Sequence, residues 1–160
     1  MRIEKDYEDL LRLFNKHKVR YCIVGAYALA FHAMPRYTKD MDILVEPGME
    51  NGCKIIKALD AFGFKSLKLK AEDFDRGGAI IQLGHEPVRV DLLTSIEGVS
   101  FEEVWKNRTR GSYGKGKIYF IGMNELIKSK KAVWRKQDEA DLEILRAVKR
   151  KNKGKKNKGK

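Results

Sequence analysis

Cysteine and proline are scarce in this chain, with two and three copies in 160 residues. Two cysteines exclude a small disulfide-stapled scaffold. Neither Cys22 nor Cys53 stands in a metal-type spacing, and Cys22 lies in an apolar run, so both are expected to be reduced, buried thiols of a cytoplasmic protein. No stretch approaches the roughly 20 apolar residues of a membrane span. The first residues are charged and polar (Arg2, Glu4, Lys5, Asp6), unlike a secretory leader. Acidic residues are missing from 149–160, where eight basic side chains stand. What is present is an ordinary globular core composition, 42% hydrophobic. The length suits one compact domain.

The net charge of +12 is concentrated at one end. Setting aside the eight basic residues of 149–160 leaves 26 basic and 22 acidic side chains, a net of +4 over residues 1–148. The expected organisation is one domain at 1–148 and a basic, disordered tail at 149–160. Such a tail is either an electrostatic arm for RNA or DNA phosphates or a solubilising extension.

Apolar spacing predicts an amphipathic helix over Asp6–Lys18, a strand at 21–24, a helix from Gly25 to Ala33 ended by Pro35, and a strand at 41–45. A helix over 49–62 follows Pro47-Gly48 and is closed by Gly63. Phe64–Leu69 reads as an edge strand and Glu72–Gly78 as a polar loop. Residues 79–83 and 88–93 read as strands joined by Gly84, His85, Glu86 and Pro87. Ser100 caps a short helix, Arg110–Gly116 reads as a Gly-rich basic loop, Lys117–Ile121 as a strand, and 124–150 as one long helix capped by Asn124. The fold class is α/β (α+β): a small mixed sheet flanked by helices, with a long C-terminal helix.

Two carboxylates open the second strand. In a strand alternate side chains share a face, so Met41, Ile43 and Val45 point to the core while Asp40 and Asp42 point together to the other side. In the later strand Val88, Val90 and Leu92 share one face and Asp91 lies on the other. If these strands pair, three carboxylates meet on one side of one sheet. Carboxylates so placed repel one another unless a cation lies between them, and a hard ion such as Mg²⁺ prefers oxygen ligands. Two such ions would suit an in-line phosphoryl displacement.

The ordered set Gly25-Ala26, Arg36-x-Thr38-x-Asp40-x-Asp42 and a later Asp91 resembles the polymerase-β-like nucleotidyltransferase superfamily. The resemblance extends to Leu126-Ile127-x-x-Lys130-x-Ala132-x-x-Arg135-x-x-Asp138-x-x-Asp141-Leu142, and in all to about residues 5–148. It is nearest to small stand-alone members often found in toxin–antitoxin operons. It implies Mg²⁺-dependent transfer of a nucleotidyl group from a nucleoside triphosphate to a hydroxyl acceptor, RNA or protein among the options, with pyrophosphate released. Asp40, Asp42 and Asp91 are implied as catalytic metal ligands for two Mg²⁺ ions, with Mn²⁺ as an alternative. Gly25 and Ala26 are implied as N–H donors to phosphate at a helix N-terminus. The family's second glycine-pair residue is Gly or Ser, and here it is Ala26, which has no hydroxyl.

Arg36, Thr38 and Lys130 complete the candidate nucleotide-binding set. Arg36 either binds a phosphate bidentately or pairs with one of the aspartates. Thr38 shapes the turn. Lys130, sharing a helix face with Trp134, Asp138 and Asp141, is a point charge for a triphosphate, and Arg135 pairs with Asp138 at i, i+3. Trp105 and Trp134 read as packing residues. The alternative function is a catalytically silent binding module of the same fold, either a toxin–antitoxin component with a protein partner or an RNA binder. No membrane partner is expected.

Overall fold

The computed structural model describes residues 4–133 and 135–157. Its elements in chain order are α1 (Lys5–Lys16), β1 (Tyr21–Ile23), α2 (Gly25–His32), β2 (Asp40–Val45), α3 (Met49–Phe62), β3 (Ile80–His85), β4 (Val88–Leu93), α4 (Phe101–Lys106), β5 (Thr109–Tyr113), β6 (Gly116–Phe120), α5 (Met123–Val133) and α6 (Lys136–Asn157). The six strands form one mixed sheet in the order β3-β4-β2-β1-β6-β5. The central pairs β2–β4 and β1–β6 are parallel, while β1–β2, β3–β4 and β5–β6 are antiparallel. A mixed sheet flanked by helices, with a long final helix, is the expected class.

The apolar stripe of α1 (Leu10, Leu11, Phe14) is buried, as are Ile55, Ala58 and Leu59 of α3, and these two helices pack together. Met41, Ile43 and Val45 are fully buried, as the alternation of β2 predicts. Asn51 of α3 fastens the two central strands. Its Oδ1 accepts from Arg20 N at 2.9 Å, and its Nδ2 donates to the carbonyls of Arg20 (3.1 Å) and Glu46 (2.9 Å). Ser100 caps α4 by accepting from Glu103 N at 3.2 Å. Among the described residues, no helix is long and apolar enough to cross a membrane.

Five local expectations are corrected. Phe64–Leu69 is not an edge strand. Lys65–Leu67 is a 3₁₀ turn, Lys68 takes a left-handed φ of 53°, and Phe64 stacks on Phe62 with ring centroids 5.1 Å apart. Glu72–Gly78 is not wholly a polar loop, because Ala71–Phe74 is a 3₁₀ turn that carries Phe74 into the core. The β3–β4 connection is tighter than expected: Gly84 and His85 belong to β3, and only Glu86 and Pro87 turn. Residues 110–116 are mostly strand. Gly111 is required there by close packing and not by a turn, since a Cβ on it would lie 2.7 Å from both the Phe120 and the Phe31 rings. Cys53 is exposed, whereas Cys22 is buried.

The C-terminal segment differs most. It is two helices packed on each other, α5 and α6, not one helix capped by Asn124. Trp134, and with it the expected face and packing of that residue, lies outside the described residues. The basic stretch expected to be disordered is helical as far as Asn157, and 158–160 lie outside the described residues. Lysine and arginine have good helix propensity, and a helix already begun at Lys136 needs no new nucleus to continue.

Candidate active site

β2 and β4 pair in register, with Asp40 opposite Arg89 and Asp42 opposite Asp91. All four side chains fall on the same side of the sheet by the strand alternation. One oxygen from each of Asp40, Asp42 and Asp91 lies within 4.8 Å of the others. The three acids expected to converge therefore do. Asp91 is only 7% exposed, and Asp40 and Asp42 are partly buried.

Each acid is held differently. Thr38 Oγ1 donates to Asp40 Oδ1 at 2.8 Å, so the threonine of the approach loop orients the first acid. Arg89 lies 2.6 Å from Asp40 Oδ2 through one terminal nitrogen, and the same nitrogen is 3.2 Å from Asp91 Oδ2. Arg89 Nε is 3.1 Å from Asp91 Oδ1 but is not aligned for a hydrogen bond, and both atoms are buried without such a partner. The Asp42 carboxylate has no hydrogen bond or ion pair among the described residues. Burial, then the neighbouring charges of Asp40 and Asp91, push its pKa up to about 6, against the opposing pull of Arg89 and Lys130.

Gly25 begins α2 directly beside Asp42. Its φ is +63°, and a Cβ there would fall on Asp42 Oδ2 and lie 3.0 Å from Cγ. The backbone thus comes as near to the acid as an amino acid without a side chain permits. The first N–H groups of a helix, here those of Gly25 and Ala26, have no intrahelical acceptor. Val24 N donates to Asp42 O at 3.0 Å, which ties this helix start to β2.

Arg36 and Lys130 line the same cavity as Asp40 and Asp42. Arg36 donates to both oxygens of Asp141, at 2.9 and 3.0 Å. Its aspartate partner is thus on α6 and is neither Asp40 nor Asp42. Lys130 of α5 bonds Asp138 at 3.0 Å and Asp141 at 2.8 Å. In one continuous helix, eleven residues would separate Lys130 and Asp141 by about 16 Å along the axis. The break between α5 and α6 is what brings them together. Asp138 is occupied by Lys130 and not by the Arg135 side chain, although Asp138 N donates to Arg135 O at 2.8 Å.

Two cavities meet at Asp42. One, about 310 Å³, is lined by Ala26, Arg36, Thr38, Asp40, Asp42, Lys130, Arg135, Gln137, Asp138 and Asp141. The other, about 540 Å³, is lined by Asp42 and Asp91, by apolar residues that include Val24, Leu93, Ile96, Ile121 and Leu126, and by the charged Glu97, Lys130, Arg135 and Asp138. Every residue expected to bind nucleotide except Gly25 lines the smaller, polar cavity, and Gly25 lines the larger one, which Lys130 also lines. Arg135, expected only as the partner of Asp138, lines both cavities. Arg89 was not singled out by sequence reasoning. Arg89 stands two residues before Asp91, and this Arg-x-Asp spacing places both on one strand face, a signal readable in the sequence.

The donor set fits a hard divalent cation. It is all carboxylate oxygen, Asp42 has no hydrogen bond or ion pair among the described residues, and Asp91 Oδ1, 3.1 Å from Arg89 Nε, is a buried acceptor without an aligned hydrogen bond. Carboxylates this close repel one another, and positive charge among them relieves that repulsion.

No protein-family model and no curated protein sequence matches this chain. Solved structures do. A lincosamide antibiotic adenylyltransferase with lincomycin bound superposes with a TM-score of 0.56 at 17% identity, covering 91% of this chain and 97% of that one. A protein of Thermotoga maritima assigned, without proof in its name, as a nucleotidyltransferase superposes with a TM-score of 0.52 at 15% identity, covering 99% of this chain and 97% of that one. The chain has a nucleotidyltransferase fold.

Proposed function

We propose that this protein is a nucleotidyltransferase that moves a nucleotidyl group from a nucleoside triphosphate to a hydroxyl acceptor and releases pyrophosphate. The observation that carries the reading is the register of β2 and β4, which sets Asp42 against Asp91 with Asp40 beside them, at the glycine-opened start of α2. The fold shared with the two solved structures supports it.

Asp40, Asp42 and Asp91 would hold divalent metal, Mg²⁺ or Mn²⁺. Metal bound there supplies charge neutralisation for the phosphates and lowers the cost of ionising the attacking hydroxyl. The chain's own groups do the positioning. The N–H groups of Gly25 and Ala26 face the β- and γ-phosphates, and Arg36, Lys130 and Arg135 are the cations that line the polar cavity. Asp138 and Asp141 keep Arg36 and Lys130 in place. Thr38 fixes the orientation of Asp40. The larger cavity receives the part of the substrates beyond the phosphates, so that the acceptor hydroxyl approaches over Asp91, which assists its deprotonation.

The basic end of α6 adds non-specific affinity for RNA. The free cysteines agree with work in the cytoplasm. A second reading, a catalytically silent module that binds RNA or the protein partner of a toxin–antitoxin pair, draws on one observation: Arg89 already neutralises part of the acid cluster.

The test is incubation with each α-³²P-labelled nucleoside triphosphate, Mg²⁺ and total cell RNA, protein or small-molecule extract. Label should pass to one acceptor fraction, and γ-label should not. No transfer, together with no Mg²⁺-dependent nucleotide binding, would leave the silent module as the better reading.

A further inference from the structure

Arg89 belongs to the acid cluster as much as the three aspartates do. It is the register partner of Asp40, as Asp91 is the register partner of Asp42. The two strands therefore present one compensated pair, Asp40 with Arg89, and one uncompensated pair, Asp42 with Asp91. The guanidinium reaches both Asp40 (2.6 Å) and Asp91 (3.2 Å) from one nitrogen. Its backbone carbonyl accepts from Tyr7 Oη at 2.9 Å, which fixes the strand at that point. Among the described residues the Asp42 carboxylate is left without a hydrogen bond or ion pair, while both oxygens of Asp91 already lie beside the guanidinium, Oδ1 at 3.1 Å from Nε.

We infer that Arg89 is a resident cation of the site: it holds the place between Asp40 and Asp91 that a second divalent ion would take, so the nucleotide-free chain loads one divalent ion, beside Asp42, and not two. The inference rests on the metal-binding reading above. Three ionised carboxylates and one guanidinium carry a net charge of −2, which one divalent ion balances. Loading a second ion with Arg89 in place would leave the cluster net positive and bring like charges together at close range. Without Arg89 the cluster carries −3, and the Asp40–Asp91 edge is free for a second ion. A guanidinium, unlike a metal ion, cannot be diluted or chelated away. It keeps the acids from driving one another apart when no metal is bound.

The test counts Mn²⁺ bound to the nucleotide-free protein, from the electron paramagnetic resonance signal of the free ion. The wild type should bind about one ion per chain, Arg89→Met about two, and Arg89→Lys, which keeps the charge, about one. Two ions on the wild type, or one on a folded Arg89→Met variant, would overturn the inference while leaving metal binding intact. Binding to none of the proteins would sink the metal reading itself, and this inference with it. Should Arg89→Met fail to fold, the wild type still decides. Its Arg89 Nε–H resonance, assigned by loss in Arg89→Lys, should stay protected from solvent exchange at saturating Mg²⁺. Its release into fast exchange would show that the ion displaces the guanidinium and overturn the proposal.

Discussion

Gly25 and Asp42 share one small volume: the glycine's missing Cβ is where an Asp42 carboxylate oxygen lies, and the glycine's φ of +63° is one that other residues avoid. Gly25→Ala should therefore act twice. Strain in the left-handed region should lower stability by about 1–2 kcal/mol. The displaced carboxylate should abolish label transfer and metal-dependent nucleotide binding. Gly63→Ala is the control. Gly63 closes α3 with φ +109°, and a Cβ on it meets nothing within 4 Å. It should cost stability by a similar amount, read as a fall in Tm, and leave transfer unchanged.

Asp42→Asn should abolish transfer yet stabilise the protein in metal-free buffer. The folded pKa of Asp42 is about 6, raised from 3.8 by burial and by the two neighbouring acids. The folded state thus holds the proton more tightly than the unfolded chain. Between pH 3.8 and about 6 the folded state binds more protons, so this group's contribution to stability falls as pH rises through that window and is level above it. Removing the charge should gain about 3 kcal/mol at pH 7–8, and the gain should vanish below pH 3.8. Denaturant unfolding across pH checks both. Adding Mg²⁺ should raise the wild-type midpoint more than that of the variant. A large loss of stability at pH 7 would instead assign Asp42 a structural role.

The acid triad was legible because strand alternation is a strict two-residue period: Asp40 and Asp42 must share a face, and so must Arg89 and Asp91. That β2 lies next to β4, in register, is a long-range pairing that no local pattern displays, and it entered the sequence reading as a condition. The errors have local causes. Phe74 stands among charged residues with no periodic neighbours, so nothing in the sequence marks it as core. Gly111 resembles a turn glycine, because the aromatic rings that need its space come from α2 and β6. The helix break after Val133 carries no proline or glycine. Its reward is the group of ion pairs among Lys130, Asp138, Asp141 and Arg36, which exists only once the chain has folded back.

Asn51 should be a stability residue with no part in transfer. It is 2% exposed, and its side chain satisfies three backbone groups at the junction of β1, β2 and α3. Asn51→Ala leaves those groups without partners in a buried place, at a cost of about 2–3 kcal/mol. The expected result is a clear drop in Tm with undiminished transfer below the transition. Loss of transfer at full stability would link this corner to the acids, which are on the opposite side of β2 from the core.

The basic end of α6 should add affinity for RNA and nothing to the chemistry. Lys151–Lys160 carries six positive charges and no acid. The residues described there are helical and, through Lys155, exposed. Each phosphate they neutralise on a single strand releases condensed counterions and adds about 0.7 to the slope of log K against log salt. Deleting these residues should weaken RNA binding at low salt and flatten the slope by up to about 4, if all six charges meet phosphate. The deletion removes no residue that lines either cavity, so nucleotide binding and label transfer to a small acceptor should not change. Equal RNA binding by the truncated and full-length proteins at every salt concentration would make this end a solubility device. RNA contact would then fall to the cationic surface around Arg108 and Arg110, where Arg108 lies over Trp105 at 3.8 Å and over Tyr119 at 4.6 Å.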